Sequence, residues 1–160
     1  MRASAPPLDS NRVRRTHRSV TLIEVVRHQL APRVPPAHSY VNEAVRHPPL
    51  TVVDVVAEAA SVTEDYKNQV LSKVNTSCLR LAVMSGQYPW HKHPRSDELF
   101  LVVEGQLEIE VAGGQVLHLG PWQSAVIPAG VIHRTRGVGR TVNLCFEDLA
   151  ADTELLEASG

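Results

Sequence analysis

The 160-residue sequence predicts an all-β fold, a single antiparallel barrel or sandwich preceded by an irregular extension and one short helix. Three observations carry this reading. Seven short β-prone runs follow Lys67, Gly, Pro and polar turns separate them at near-even intervals, and no helical period falls between them. With 43% apolar, 21% charged and 4% aromatic residues, the chain fits one modest domain plus an appendage.

Residues 1–50 mix Arg, Pro, Ser and short apolar runs without a sustained period, and read as a flexible extension; Val20–Leu30 within them suits either a strand or a short helix. From Val52 to Ser61, Val52, Val53, Val55, Val56, Ala59 and Ala60 fall at helical spacing with Asp54 and Glu58 outward, which predicts a short amphipathic helix. The predicted strands are Ser77–Ser85, Glu98–Val103, Gln106–Val111, Gln115–Leu119, Ser124–Ile127, Val131–Thr135 and Thr141–Phe146. Leu107, Ile109 and Val111 alternate with Gln106, Glu108 and Glu110, so one face of that strand is wet and the other buried. Gly113-Gly114 marks a hairpin turn. The barrel domain is assigned to 51–148, and 149–160 reads as a tail, one helical turn or frayed coil.

The net charge of −1 hides an asymmetry: residues 1–50 hold eight Arg against three acids, and the remainder holds eight Lys/Arg against fourteen acids. Seven of the eleven prolines also precede Leu50. The basic, acid-poor start fits a solvated tail, a transit segment or a nucleic-acid- or lipid-touching arm, of which the solvated tail is the simplest. No stretch has the apolar length of a membrane helix or the apolar core of a secretory signal, and Cys78 and Cys145 read as reduced core thiols. These features predict a cytoplasmic protein without a membrane or nucleic-acid partner.

The chemistry concentrates in two blocks. On an extended chain His91 and His93 point to one face and Lys92 to the other, while Glu98 opens the next strand and can return its carboxylate toward both imidazoles. His133 follows a Pro128-Ala129-Gly130 turn. Three neutral imidazoles and one carboxylate form a donor set for a borderline divalent ion, with coordination positions left for water or substrate. The remaining histidines, His17, His28, His38, His47 and His118, read as ordinary solvated or hydrogen-bonded residues.

These blocks resemble the cupin superfamily. Its first motif, Gly, a gap, His-x-His, a gap, Glu, six residues, Gly, is matched by Gly86, His91, His93, Glu98 and Gly105, with four residues before His91 where five are usual. Its second motif is matched by Gly120, Pro128, Gly130 and His133; the gap before Pro128 is two residues longer than the common form, and Gly137 stands where Asn is expected. Over roughly Val52–Asp148 the sequence is similar to small single-domain cupins of the mannose-6-phosphate isomerase-like group, most of all at Asp97–Val102. The resemblance implies a double-stranded β-helix, the cupin jelly-roll barrel, with a metal in its mouth and a homodimeric assembly.

Strand alternation places Phe100 and Val102 on the lumen side with Glu98. In the strand before the first motif, Cys78, Arg80, Ala82 and Met84 share a face, and either this face or its opposite lines the barrel. In the first case Arg80 is a candidate cation for a carboxylate or phosphate substrate. Tyr88 is the candidate general base, and Trp90 and Phe100 join Arg80 as candidate substrate contacts. The function expected is a small-molecule enzyme of dioxygenase, isomerase or lyase type with one divalent ion per chain, Fe(II) or Zn foremost, with Ni, Mn and Cu also accepted by the donor set. The alternative is a metal-containing barrel that binds or senses a small ligand without turnover.

Overall fold

The structure is a computed structural model that describes residues 43–156. Val20–Leu30, and all of 1–42, lie outside the described residues. Among the described residues nine strands form one curled antiparallel sheet: β1 (Tyr66–Val74), β2 (Ser77–Gln87), β3 (His91–Lys92), β4 (Glu98–Glu104), β5 (Leu107–Val111), β6 (Val116–Leu119), β7 (Ser124–Ile127), β8 (His133–Asp148) and β9 (Glu154–Leu155). Among the described residues one helix, α1 (Val55–Ala60), precedes them. The architecture is the all-β double-stranded β-helix.

Strand β8 organises the sheet. Its second half pairs with β2 on one side and β4 on the other, and its first half pairs with β5 and, at His133, with β3. The sequence suggests two strands here, Val131–Thr135 and Thr141–Phe146, because Gly137, Gly139 and Arg140 interrupt the β-prone run. The backbone instead continues through the interruption while bending. Gly137 fits against Met84, whose carbonyl oxygen would lie 2.7 Å from a Cβ at that position, and β2 shifts register opposite it.

β1 is a strand that the sequence pattern does not announce. Lys67, Asn68, Gln69, Ser72 and Lys73 lower its apparent β propensity. A register shift between Val70 and Ser72 breaks its alternation, so Gln69, Val70 and Leu71 are buried in succession. Its outer edge is covered by residues 43–50, which the sequence reading assigns to the extension: the Arg46 and His47 amides donate to Val70 O and Leu71 O, each at 3.0 Å. Glu58 of α1 bonds Arg46 and His47 from the other side. The unpaired carbonyls of an edge strand need donors, and this segment supplies them.

The helix is shorter than the apolar pattern suggests because Asp54 caps it, accepting from the Val56 and Ala57 amides at 3.0 Å each. Val52 therefore precedes the helix and is 96% exposed, and Val56 is 69% exposed. Ala59 and Val62 join Leu71, Leu81, Val83 and Val142 in a cluster outside the barrel, with Val53 and Val55 packed against it. A second cluster fills the barrel: Met84, Tyr88, Phe100, Val102, Leu107, Ile109, Leu119, Ile127 and Cys145. β2 is thus buried on both faces, and its even-numbered face, with Cys78, Arg80, Ala82 and Met84, is the one that looks inward.

The chain end is neither a helical turn nor frayed coil over its described part. β9 pairs with β3, and the Leu156 amide donates to Trp90 O. No helix among the described residues is long and apolar enough to cross a membrane.

Two glycines test the packing. Gly105 sits at φ +81° with Arg140 O only 2.6 Å from where a Cβ would stand, whereas Gly113, at φ +100° in the β5–β6 hairpin, has open space. Gly105→Ala should destabilise by at least about 2 kcal/mol, through strain plus clash, and Gly113→Ala by about 1 kcal/mol through strain alone. Urea denaturation of both variants checks the order.

Candidate metal centre

His91, His93, Glu98 and His133 are all buried, and their donor atoms lie within 4.8 Å of one another. Each arrives by a different local device. His91 lies in β3 and His93 directly follows it, both side chains buried, with Lys92 turned outward to Glu154 at 3.0 Å. Glu98 starts β4 with Phe100 and Val102 inward behind it. His133 starts β8 directly opposite His91. The Pro128–Gly130 turn is fastened to the first block, since the Gly130 amide donates to His93 O at 2.8 Å and the Ala129 amide to Asp97 Oδ1 at 2.8 Å. The two sequence motifs are thereby one structural unit.

The hydrogen bonds fix the chemistry of the imidazoles. Nδ1 of His91 donates to Pro89 O at 2.9 Å, Nδ1 of His133 to Val131 O at 3.0 Å, and Nδ1 of His93 to Asp152 O at 3.2 Å. A carbonyl can only accept, so each Nδ1 carries the proton and each neutral ring keeps its lone pair at Nε2. Two of those Nε2 atoms face a carboxylate oxygen, Glu98 Oε2, at 3.1 Å from His93 and 3.5 Å from His133. Glu98 Oε2 and His133 Nε2 are buried without a hydrogen-bond partner. Lone pairs aimed at one another in a buried space require a positive species between them, either a second proton on a ring or a metal ion. The donor set therefore fits a divalent cation, and backbone carbonyls at Nδ1 are the kind of outer partner that orients metal-binding imidazoles.

Charge in the site follows from burial and neighbours. Burial, reinforced by His133, pushes the His91 imidazole down to about 4, with Glu98 working the other way. Burial also opposes charge on His93, but the Glu98 carboxylate overcomes it and raises that ring. Glu98 itself is held below the usual carboxylate range, because His133 and His93 outweigh its burial.

The centre opens on a cavity of about 50 Å³. Tyr88 and Phe100 line it. The Tyr88 ring meets the His91 ring edge-on at 4.7 Å and stacks on Tyr66 at 5.6 Å, and the Phe100 ring lies 6.1 Å from His133. Arg80 also faces the lumen, but its guanidinium is held by Glu147 at 2.6 Å and by Glu43 at 3.2 Å. Trp90 is not part of the cavity wall; the Arg134 guanidinium covers its ring at 4.6 Å. Cys145 lines the cavity, is buried, and donates to Asn143 Oδ1, its thiol held well above the usual range first by burial and then by Glu98. His47 and His118 lie away from the centre, beside Glu58 and Glu108.

Absent from the sequence reading are Asn68, on the cavity wall, and Glu147, which is 7% exposed, lines the cavity and is lifted to about 7 by burial and by Glu98. Period-two alternation from Cys145 reaches Glu147, but the predicted strand stops at Phe146.

Comparison with known proteins agrees with this geometry. The cupin domain family matches residues 80–146, which span β2 to β8. An uncharacterized protein of Bacillus subtilis, YdbB, is 46% identical over 104 residues, 65% of this chain and 92% of that protein. The chain belongs to the cupin superfamily. Among solved structures, a cupin-2 domain protein from Shewanella frigidimarina is 26% identical with a TM-score of 0.58, covering 61% of this chain and 94% of that one. A double-stranded β-helix protein from Klebsiella pneumoniae shares the fold with a TM-score of 0.56 at 20% identity, covering 66% and 96% of the two chains. In this cupin the motif departures at Gly120–Pro128 and Gly137 move no donor out of the cluster: the longer gap is spent in the turn around Trp122 and in β7, and Gly137 serves the bend of β8.

The lowered His91 carries a stability signature. In metal-free protein the unfolded chain takes up this proton near pH 6.5 and the folded chain only near pH 4, so the His91 contribution falls with acidification across that window, while Glu147, lifted from 4.5 to about 7, contributes a rise with acidification that opposes it. The slope from His91 is at most about 1.4 kcal/mol per pH unit. The raised His93 adds little there, because folded and unfolded chains both hold its proton below pH 6.5. Urea denaturation of chelator-treated protein at a series of pH values measures the net slope, and His91→Gln should shift it toward greater stability on acidification, the sign set by Glu147.

Proposed function

We propose that this chain is a metal-dependent cupin enzyme that acts on a small molecule held between the three-His, one-Glu centre and the barrel lumen. The observation that carries the reading is the lone-pair arrangement: three Nδ1–H groups tied to backbone carbonyls, and Nε2 atoms facing a buried, unpartnered Glu98 oxygen. That arrangement is costly without a cation and satisfied by one.

A divalent ion bound there would supply Lewis-acid activation of a ligand oxygen, and iron(II) would add redox chemistry with dioxygen. The chain's own residues define the rest. Phe100, Met84 and Ala82 make an apolar wall that limits water, and Tyr88 stands beside His91 on the cavity surface. A bound water occupies on the order of 10–15 Å³ by the same measure of volume, so the lumen suits a ligand of only a few non-hydrogen atoms. Dioxygenase and isomerase or lyase chemistry both fit a site of this size. Metal binding is common to them and is tested first.

Protein purified without chelator should carry close to one divalent ion per chain by elemental analysis, and His91→Ala or His133→Ala should lower occupancy at least tenfold. Full occupancy in both variants would remove the site assignment. Anaerobic iron loading followed by oxygen uptake with thiols, diketones and small phenolics then separates the branches. Stimulated uptake supports the dioxygenase, silence with all of them moves the reading to redox-neutral chemistry or to ligand binding alone.

A further inference from the structure

Two buried acceptors on the cavity wall stand outside the metal-binding cluster. They are Glu147 Oε2 and Asn68 Oδ1, neither of which has a hydrogen-bond partner. Glu147 is fixed by its other oxygen, which lies 2.6 Å from Arg80 Nε, while Oε2 points toward the centre, 3.9 Å from His93 Nε2. Asn68 sits on β1 opposite Ala82, and Glu147 on β8 opposite Cys78, so both belong to the β1–β2–β8 side of the lumen.

Their chemistry decides what the lumen accepts. The cation that would draw an anionic substrate inward is Arg80, and two carboxylates already hold it, Glu147 at 2.6 Å and Glu43 at 3.2 Å. With a divalent ion among the donors, and Glu98, Glu147 and Glu43 ionised beside it and Arg80, the ion and Arg80 together match the three carboxylate charges. A carboxylate or phosphate entering this space would add uncompensated negative charge against Glu98 and Glu147, and an ammonium would add uncompensated positive charge. A neutral group that donates hydrogen bonds satisfies both orphan oxygens and leaves the balance intact. The cavity of about 50 Å³ limits that group to a compact molecule.

We propose that Glu147 and Asn68 form a substrate subsite that takes a small neutral polyhydroxy compound, one hydroxyl donating to each, with the rest of the molecule at the metal centre. This rests on reading His91, His93, Glu98 and His133 as a metal site, and makes Glu147 and Asn68 specificity-determining residues.

The test uses full-length protein as purified, with the metal content of each sample measured. Dissociation constants are compared for ethylene glycol, glycerol and erythritol against acetate, propionate and butyrate, with ethanolamine as the cationic probe. The polyols should bind at least tenfold more tightly than the carboxylates of equal carbon number and than ethanolamine. Glu147→Gln and Asn68→Ala should each weaken polyol binding about tenfold, and Glu147→Gln should also strengthen carboxylate binding by freeing one side of Arg80. If loss of the Arg80 partner prevents folding of the first variant, Asn68→Ala, which breaks no ion pair, decides alone. Carboxylates or ethanolamine binding as well as polyols, no probe binding, or polyol affinity unchanged in Asn68→Ala would overturn the proposal. Two ions per chain would also overturn it, because the orphan oxygens would then be ligands of a second metal. Metal-free wild-type protein would instead overturn the proposed function, while the polyol comparison would still read the Glu147–Asn68 subsite by itself.

Discussion

The structure depends on one strand being shared by both halves of the barrel. β8 runs from His133 to Asp148 without a break and pairs along its length with β5, β3, β2 and β4. Its first residue is a donor of the metal-binding cluster, and its residues 143, 145 and 147 line the lumen. A strand with this many partners cannot slip by one residue, because the slip would turn His133, Thr135, Asn143, Cys145 and Glu147 outward together. Register and chemistry are therefore fixed by the same hydrogen bonds. The bend at Gly137, with no room for a Cβ against Met84, lets one strand serve both halves.

Inside that frame the polar groups are arranged by acceptor and donor rather than by charge alone. Backbone carbonyls of Pro89, Val131 and Asp152 consume the three Nδ1 protons, which turns each imidazole's lone pair inward. Arg80, the charged donor deepest in the lumen, is consumed by Glu147 and Glu43. Of the buried side-chain atoms without a hydrogen-bond partner, Glu98 Oε2, His133 Nε2, Glu147 Oε2 and Asn68 Oδ1 are the acceptors at the centre and the cavity wall. A buried set of this kind is stable only with positive or hydrogen-bond-donating guests. The metal centre and the donor-seeking wall are two consequences of one imbalance, separated by where the oxygens sit.

Much of this was legible because the informative residues carry local signals. His91 and His93 two apart, Glu98 at a strand start, and His133 after a Pro-x-Gly turn each follow from short-range geometry, and the lumen face of β4 follows from alternation. What could not be read was non-local. β1 is hidden because its polar residues lower its apparent β propensity and a register shift breaks its alternation, while its pairing with β2 depends on contacts that sequence does not show. The edge role of residues 43–50 depends on β1 being there first. Arg80 could be placed on a face but not paired, since Glu43 is 37 positions away and Glu147 lies on β8, across the sheet. Trp90 was read as a wall residue from its position beside His91, yet a cross-strand cation, Arg134, covers it.

The chain end shows how such non-local order reaches the chemistry. Residues 149–156 have no apolar run that would predict docking, but Asp152 O accepts the His93 Nδ1 proton, Ala151 and Thr153 line the cavity, and β9 adds to the edge of β3. The fasteners are side chains on the surface: Arg95 to Asp152 and Lys92 to Glu154. Exposed pairs of this type contribute little each and weaken with salt, so the strap's hold must come mainly from its backbone hydrogen bonds to β3 and Trp90. One imidazole of the centre is thus oriented by a carbonyl 59 positions away, while those of His91 and His133 are oriented by carbonyls two residues before them. Docking of this segment therefore completes both the cavity wall and the orientation of His93.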